Sequence, residues 1–191
     1  MARGKRVYLV DGSGQFHRAF HAIRGLATSK GLPTNATYGF TTMLRKLLED
    51  EKPEHMAVVF DPPGRTFRHD DYAEYKANRP PPPEDLKPQF PLIRTATRAF
   101  SIPCIETEGL EADDIIACYT KAALAAGWST TIVSSDKDLM QLIEPGVDML
   151  DTMNDRRIDA DYVIAKFGVP PENTPFLRRL PAQMPSAVST P

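Results

Sequence analysis

Met56-Ala57-Val58-Val59-Phe60-Asp61 is an apolar run closed by an acid and followed at once by Pro62-Pro63-Gly64. An apolar run without polar alternation belongs to a strand covered on both faces, and the Pro-Pro-Gly stretch ends it. Lys5 to Val10 reads the same way, closed by Asp11-Gly12-Ser13-Gly14. Further strands are expected at Pro103 to Thr107, Trp128 to Ser134 and Val147 to Asp151. Between these runs the apolar spacing becomes helical. Phe16, Ala19, Phe20 and Ile23 share a face over Gln15 to Arg24. Phe40, Met43, Leu44, Leu47 and Leu48 form the stripe of a helix over Ala36 to Glu51, which Pro53 ends. A third helix begins near Glu111, carries Ile115, Ile116, Tyr119, Ala122, Ala123 and Ala126, and stops at Gly127. A short one covers Asp159 to Phe167 before Gly168. Strands alternating with helices predict an α/β fold, a parallel sheet with helices on both faces.

The chain has 191 residues, 41% hydrophobic and 25% charged, a composition that supports one soluble globular domain. No apolar run approaches a membrane span, and the N-terminus shows no secretory signal pattern, so a cytoplasmic protein is expected. Cys104 and Cys118 sit in apolar contexts, predict two reduced, buried thiols, and match no zinc spacing. The net charge of −2 hides an asymmetry. Residues 1–48 carry eight bases against Asp11 alone, whereas residues 102–161 carry thirteen acids against four bases. A basic half beside an acidic half suits an anionic ligand held next to a cation-seeking pocket.

The acids are placed with a pattern. Asp11, Asp61 and Asp136 each stand just beyond the carboxyl end of an expected strand. Glu111, Asp113 and Asp114 open a helix, with Asp138 close to Asp136 in Ser134-Ser135-Asp136-Lys137-Asp138. In an open parallel sheet these places share one edge, where ligands bind. Acids at a helix start also cap orphan N–H groups, which accounts for one or two of them. Three side by side repel by a few kcal/mol, roughly, per close pair at an effective dielectric near 20. Carboxylates without His or Cys neighbours select hard cations, Mg²⁺ or Mn²⁺, over zinc. Two such ions suit phosphodiester hydrolysis, activating a water and stabilising charge on the phosphate. The Gly-rich turn at Asp11-Gly12-Ser13-Gly14 is no dinucleotide fingerprint, because His17 stands where the third glycine belongs.

Residues 65 to 79 interleave cations and aromatics: Arg65, Phe67, Arg68, Tyr72, Tyr75, Lys76 and Arg79. If this stretch is helical, Arg68, Tyr72, Tyr75 and Arg79 share a face, a pattern suited to stacking and backbone neutralisation of a single nucleic-acid strand. An ordinary solvated helix would look similar. A metal-dependent phosphatase, suggested by Asp136-Lys137-Asp138, leaves this segment unused, and a toxin-type ribonuclease would have the acids without it.

Val10-Asp11-Gly12-Ser13, Val59-Phe60-Asp61, Phe67-Arg68 with Tyr75-Lys76-Ala77-Asn78-Arg79, Glu111-Ala112-Asp113-Asp114 and Ser135-Asp136-Lys137-Asp138-Leu139 occur in the order and spacing of one family. From about Arg6 to Glu172 the chain resembles the 5′–3′ exonuclease domain of bacterial DNA polymerase I, a relative of the flap endonucleases. The resemblance implies a PIN-like nuclease core over residues 1–172, with a helical arch at about 62–90. It implies removal of 5′ ends and flaps from branched DNA in replication and repair, RNA primers included. Asp11, Asp61, Glu111, Asp113 and Asp114 match ligands of a first metal ion, and Asp136 and Asp138 match ligands of a second. Phe67, Arg68, Tyr75, Lys76 and Arg79 match the arch, with Arg68 and Lys76 steadying the scissile phosphate. Arg18 matches a substrate-contacting position, and its neighbour His17 replaces the family's usual tyrosine.

After Val169-Pro170-Pro171-Glu172 the family pattern continues into two more aspartates and a Gly-rich helix-hairpin-helix. Here residues 173–191 are instead rich in Pro, Ser and Ala, and are expected to be a disordered tail of unrelated sequence. On that reading the second metal site is incomplete. The competing expectation is a catalytically impaired DNA-binding remnant.

Overall fold

The computed structural model describes residues 4–64, 66–68 and 80–173. β1 (Arg6–Asp11) leads into α1 (Gly12–Ala22), followed by α2 (Asn35–Glu51), β2 (His55–Val59) and α3 (Gln89–Ala99). The chain continues through β3 (Cys104–Ile105), α4 (Ala112–Ala125), β4 (Ser129–Val133), β5 (Val147–Asp151), β6 (Arg156–Ile158) and α5 (Ala160–Phe167). Short 3-10 turns cover Lys137–Leu142 and Pro171–Asn173.

The strands form one sheet in the order β3-β2-β1-β4-β5-β6. β1 pairs in parallel with β2 on one side and with β4 on the other, in register Leu9 with Ala57 and Leu9 with Ile132. The strand order reverses at β1. The carboxyl ends of β1, β2 and β4 therefore flank a topological switch point, the place where open α/β sheets bind ligands.

Both faces are covered, which is why the strands read as continuous apolar runs. Tyr8, Val10, Val58 and Val133 face a cluster with Phe16, Phe40, Leu44, Leu47 and Ile93 from α1, α2 and α3. Leu9, Ala57, Val59, Ile132 and Met149 face the opposite cluster, with Ile115 and Ile116 of α4 and Val163 of α5.

Several expectations need correction. The sheet is not wholly parallel, because β6 runs antiparallel to β5. Its short sequence Arg156-Arg157-Ile158 shows no apolar run, since an edge strand has only one neighbour. Arg157 instead crosses to Asp148 at 3.2 Å and pairs with Glu51 at the end of α2. α4 buries Ala112, Ile115, Ile116, Ala117 and Thr120, while Ala122 and Ala126 are exposed. The turns nearest the acidic edge carry its packing. Cys104 and Cys118 are free thiols, but only partly buried. The helix over Gln89–Ala99 lies in a stretch whose residue pattern had suggested no element.

Gln89 explains how that helix is held. Fully buried, it donates to Asn35 Oδ1 at 2.8 Å and accepts from the Thr37 N–H at 3.0 Å. Asn35 in turn donates to the carbonyls of Phe20 and Ile23 at 2.9 and 2.8 Å, capping the end of α1. One satisfied polar network thus joins α1, α2 and α3. Residues 65 and 69–79 of the expected arch, with Tyr75, Lys76 and Arg79, and the tail from 174 onward lie outside the described residues.

Candidate metal and nucleic-acid site

Asp11 ends β1 and caps α1, its Oδ1 accepting from the Gly14 N–H at 2.8 Å. Its Oδ2 accepts from the Ser134 hydroxyl, also at 2.8 Å, across the β1–β4 boundary. Ser134 Oγ accepts in turn from the Asp136 N–H at 3.0 Å, and Asp136 Oδ1 accepts from the Asp138 N–H at 2.9 Å. The two glycines beside Asp11 serve this close packing. A Cβ at Gly14 would run into the Asp11 carboxylate, and one at Gly12 into the Phe60 ring.

Burial pushes the Asp11 carboxyl up from its ordinary pKa; the Gly14 N–H and Ser134 hydroxyl pull it back, and the Asp61 and Asp136 carboxylates push it further up. Its supporting donors are neutral.

Asp61 follows β2 and is exposed. Its N–H donates to Ser13 Oγ at 2.8 Å, and its Oδ1 accepts from the Ala112 N–H at 2.8 Å, so it ties the β2 edge to the start of α4. Arg94 donates to the Asp61 carbonyl at 3.1 Å while pairing with Glu106 at 2.7 Å.

Glu111 stands at the N-cap of α4, and Asp114 Oδ2 accepts from its backbone N–H at 3.2 Å. Capping is thus part of the role of Asp114, with Asp113 half-buried beside it. Into this first turn comes Arg68, itself buried. Its Nη1 donates to Asp114 Oδ2 and its Nη2 to Asp114 Oδ1, each at 2.5 Å, and Nη1 lies 3.3 Å from Glu111 Oε2. The guanidinium also lies over the Phe67 ring, 4.8 Å from its centre.

The structure therefore gathers Asp11, Asp61, Glu111, Asp114, Asp136 and Asp138 along one edge, and adds Arg68. Arg18 lies elsewhere. Seven residues beyond Asp11, it is about 10 Å further along α1. There it lines a cavity of about 220 Å³ together with Phe40, Lys46, Leu150 and Thr152. Ser13 and Ser134 organise the carboxylates, although the residue pattern gave them no role. Their adjacency to Asp11 and Asp136 was the available signal.

A family model for the 5′–3′ exonuclease N-terminal resolvase-like domain matches residues 6–168. The chain belongs to this exonuclease family. The exonuclease-family domain is 57% identical over 180 residues to DNA polymerase I of Rhizobium leguminosarum, covering 90% of the chain and 18% of that relative. It is 44% identical over 171 residues to a 5′–3′ exonuclease of Aquifex aeolicus, covering 90% of the chain and 59% of that relative. It thus spans only part of the length of either. T5 5′-exonuclease with divalent metal ions (zinc) bound shares its fold, with a TM-score of 0.65 at 19% identity over 86% of this chain and 62% of that one. The catalytic core of Rad2 in complex with DNA substrate matches with a TM-score of 0.52 at 18% identity, over 89% of this chain and 52% of that one.

Among the described residues, no three His, Cys, Asp or Glu side chains of the exonuclease-family domain stand close enough to grip one ion as placed. The reason is visible in their partners: Arg68 draws Asp114 and Glu111, and Asp61 turns to the Ala112 N–H. The chemistry of the donors still fits a hard divalent cation. All are carboxylates, and Asp11, Glu111 and Asp114 are only 5%, 4% and 1% exposed. Buried carboxylates gathered along one edge call for compensating positive charge.

Proposed function

We propose that this domain hydrolyses phosphodiester bonds at the 5′ ends and flaps of DNA, using divalent cations held at the acidic edge. The observation that carries the reading is the convergence of Asp11, Asp61 and Asp136, each at the end of a parallel strand, with Glu111 and Asp113 opening α4. Family membership and the DNA polymerase I relatives support the reaction class. The divalent ions in T5 5′-exonuclease and the DNA bound to Rad2 support the cation and the substrate.

In this proposal Asp11, Asp61, Glu111 and Asp113 hold a first cation, and Asp136 and Asp138 contribute to a second; Mg²⁺ or Mn²⁺ suits their oxygens. When bound, such cations supply an acidified water and neutralise charge on the phosphate oxygens. The chain's own groups do the positioning. Ser134 holds Asp11 and the Asp136 backbone in register, and the Ala112 N–H orients the Asp61 carboxylate. The flanking cations and aromatics Phe67, Tyr75, Lys76 and Arg79 receive the 5′ strand, with Lys76 toward the phosphate, and Arg18 contacts the substrate further out.

The test is cleavage of an end-labelled 5′-flap duplex with and without Mg²⁺. Cleavage is expected with Mg²⁺, lost in EDTA and lost in Asp113→Asn. Binding of the flap without product in any divalent cation would establish a DNA-binding remnant instead.

A further inference from the structure

We infer that Asp114 is a positioning residue that locks Arg68, and is not a ligand of the divalent cation; the inference rests on the cation-binding reading of the acidic edge. Both of its carboxylate oxygens are committed. Oδ1 accepts from Arg68 Nη2, and Oδ2 accepts from Arg68 Nη1 and from the Glu111 N–H. A guanidinium fork facing a carboxylate makes two charge-assisted bonds at once and is demanding in direction. The Asp114 side chain is 1% exposed and that of Arg68 10%. Giving Asp114 to a cation would break this buried two-point pair, a costly exchange in a low-dielectric site.

Asp11 and Asp61 differ in this respect, and Glu111 meets the guanidinium through one oxygen at 3.3 Å. The donors to Asp11 and Asp61 are neutral N–H and hydroxyl groups, so a cation can join their carboxylates without stripping a charge from its partner.

The backbone around Arg68 shows what the lock holds. Thr66 bridges Gly109 in parallel, and the Phe67 N–H donates to the Gly109 carbonyl at 2.9 Å. Thr66 and Phe67 are thereby fastened to the turn that precedes α4, and Arg68 to its first turn. Arg68 is the last of them, so the pair sets the point from which the chain enters residues 69–79, with Tyr75, Lys76 and Arg79 among them. Asp114 acts on the substrate through Arg68.

A charge-neutral comparison tests this. Arg68→Gln/Asp114→Asn removes the pair without changing the net charge of the pocket, whereas Asp113→Asn removes a proposed ligand. Mn²⁺ affinity, read by the electron spin resonance of free Mn²⁺, is expected to stay within about threefold of the parent in the double variant. It is expected to fall at least about tenfold in Asp113→Asn, since loss of an outer support alone costs a metal site that much. Hydrogen exchange at the Phe67 amide is expected to accelerate in the double variant and not in Asp113→Asn. On a 5′-flap duplex the double variant is expected to lose kcat about tenfold with little change in KM, the signature of an interaction made in the transition state. Arg68→Lys, which keeps a single-point pair, is expected to restore part of it.

If the double variant loses Mn²⁺ affinity as severely as Asp113→Asn, Asp114 is a ligand and the inference is overturned. Unchanged Phe67 exchange in the double variant overturns it equally. If the parent itself binds no Mn²⁺, the cation-binding reading fails instead. Should the double variant not fold, Arg68→Lys, which keeps the charge, decides: Phe67 exchange is expected to accelerate with Mn²⁺ affinity unchanged, and unchanged exchange sinks the inference.

Discussion

The Ser134 hydroxyl donates to Asp11 Oδ2 at 2.8 Å, joining the carboxyl ends of two neighbouring parallel strands. Ser134 is 1% exposed, so replacing it leaves two polar groups, the Asp11 carboxylate and the Asp136 N–H, short of a partner inside the protein. Ser134→Ala is expected to cost about 1–3 kcal/mol, the usual penalty for an unsatisfied buried group. Urea unfolding monitored by circular dichroism measures it. Divalent-cation affinity should fall about 10–100-fold in the same variant, as when an outer support of a metal ligand is removed.

Asp11 illustrates stability given up for a site. Its folded-state pKa is raised, chiefly by burial, so below the unfolded value the protonated carboxyl costs nothing. As the pH rises through the unfolded and then the folded pKa, the native state holds the proton longer and stability declines. Asp11→Asn is therefore expected to stabilise the cation-free protein at neutral pH by about 1 kcal/mol, a magnitude common where functional residues are neutralised. The gain should vanish in acid, where both versions are neutral. Thermal melts at pH 4 and pH 7 in EDTA check the sign. Added Mg²⁺ should raise the melting temperature of the parent and leave Asp11→Asn nearly unmoved.

Gly14 is constrained by what stands next to it. A methyl group there meets the Asp11 carboxylate, which is itself held by the Gly14 N–H and Ser134. Gly14→Ala is expected to destabilise by about 1–3 kcal/mol, as other overpacked sites do. Mg²⁺-induced thermal stabilisation should also shrink, and a melt series against Mg²⁺ separates the two effects. A neutral outcome for both would show that the Asp11 side chain can move aside freely.

Gln89 lies far from the carboxylates yet anchors α3 to the helices beside them. Gln89→Leu keeps the volume but leaves Asn35 Oδ1 and the Thr37 N–H without their partner. A loss of about 2–6 kcal/mol is expected, one unsatisfied penalty of about 1–3 kcal/mol for each. Denaturant midpoints read it directly. Because α3 follows the proline-rich residues 80–83, the same variant should make that stretch more sensitive to proteolysis.

Residue order was enough to show the α/β class, the buried strands and the acids at their ends. Those features depend on local periodicity and on where each apolar run stops, which a chain displays one residue at a time. Helix boundaries were legible for the same reason, as Gly168 shows by taking the left-handed conformation just after α5. The edge strand β6 and the helix α3 were not, since their places are set by Asp148, Glu51, Asn35 and Thr37, partners distant in sequence. The same holds within the site. Glu111, Asp113 and Asp114 look equivalent in a linear reading, three acids at a helix start. Tertiary structure separates them by bringing Arg68, 46 residues away in the chain, onto both oxygens of Asp114. Charge type is written in the sequence; which charge faces which is decided by packing, because an ion pair depends on distance and direction in space.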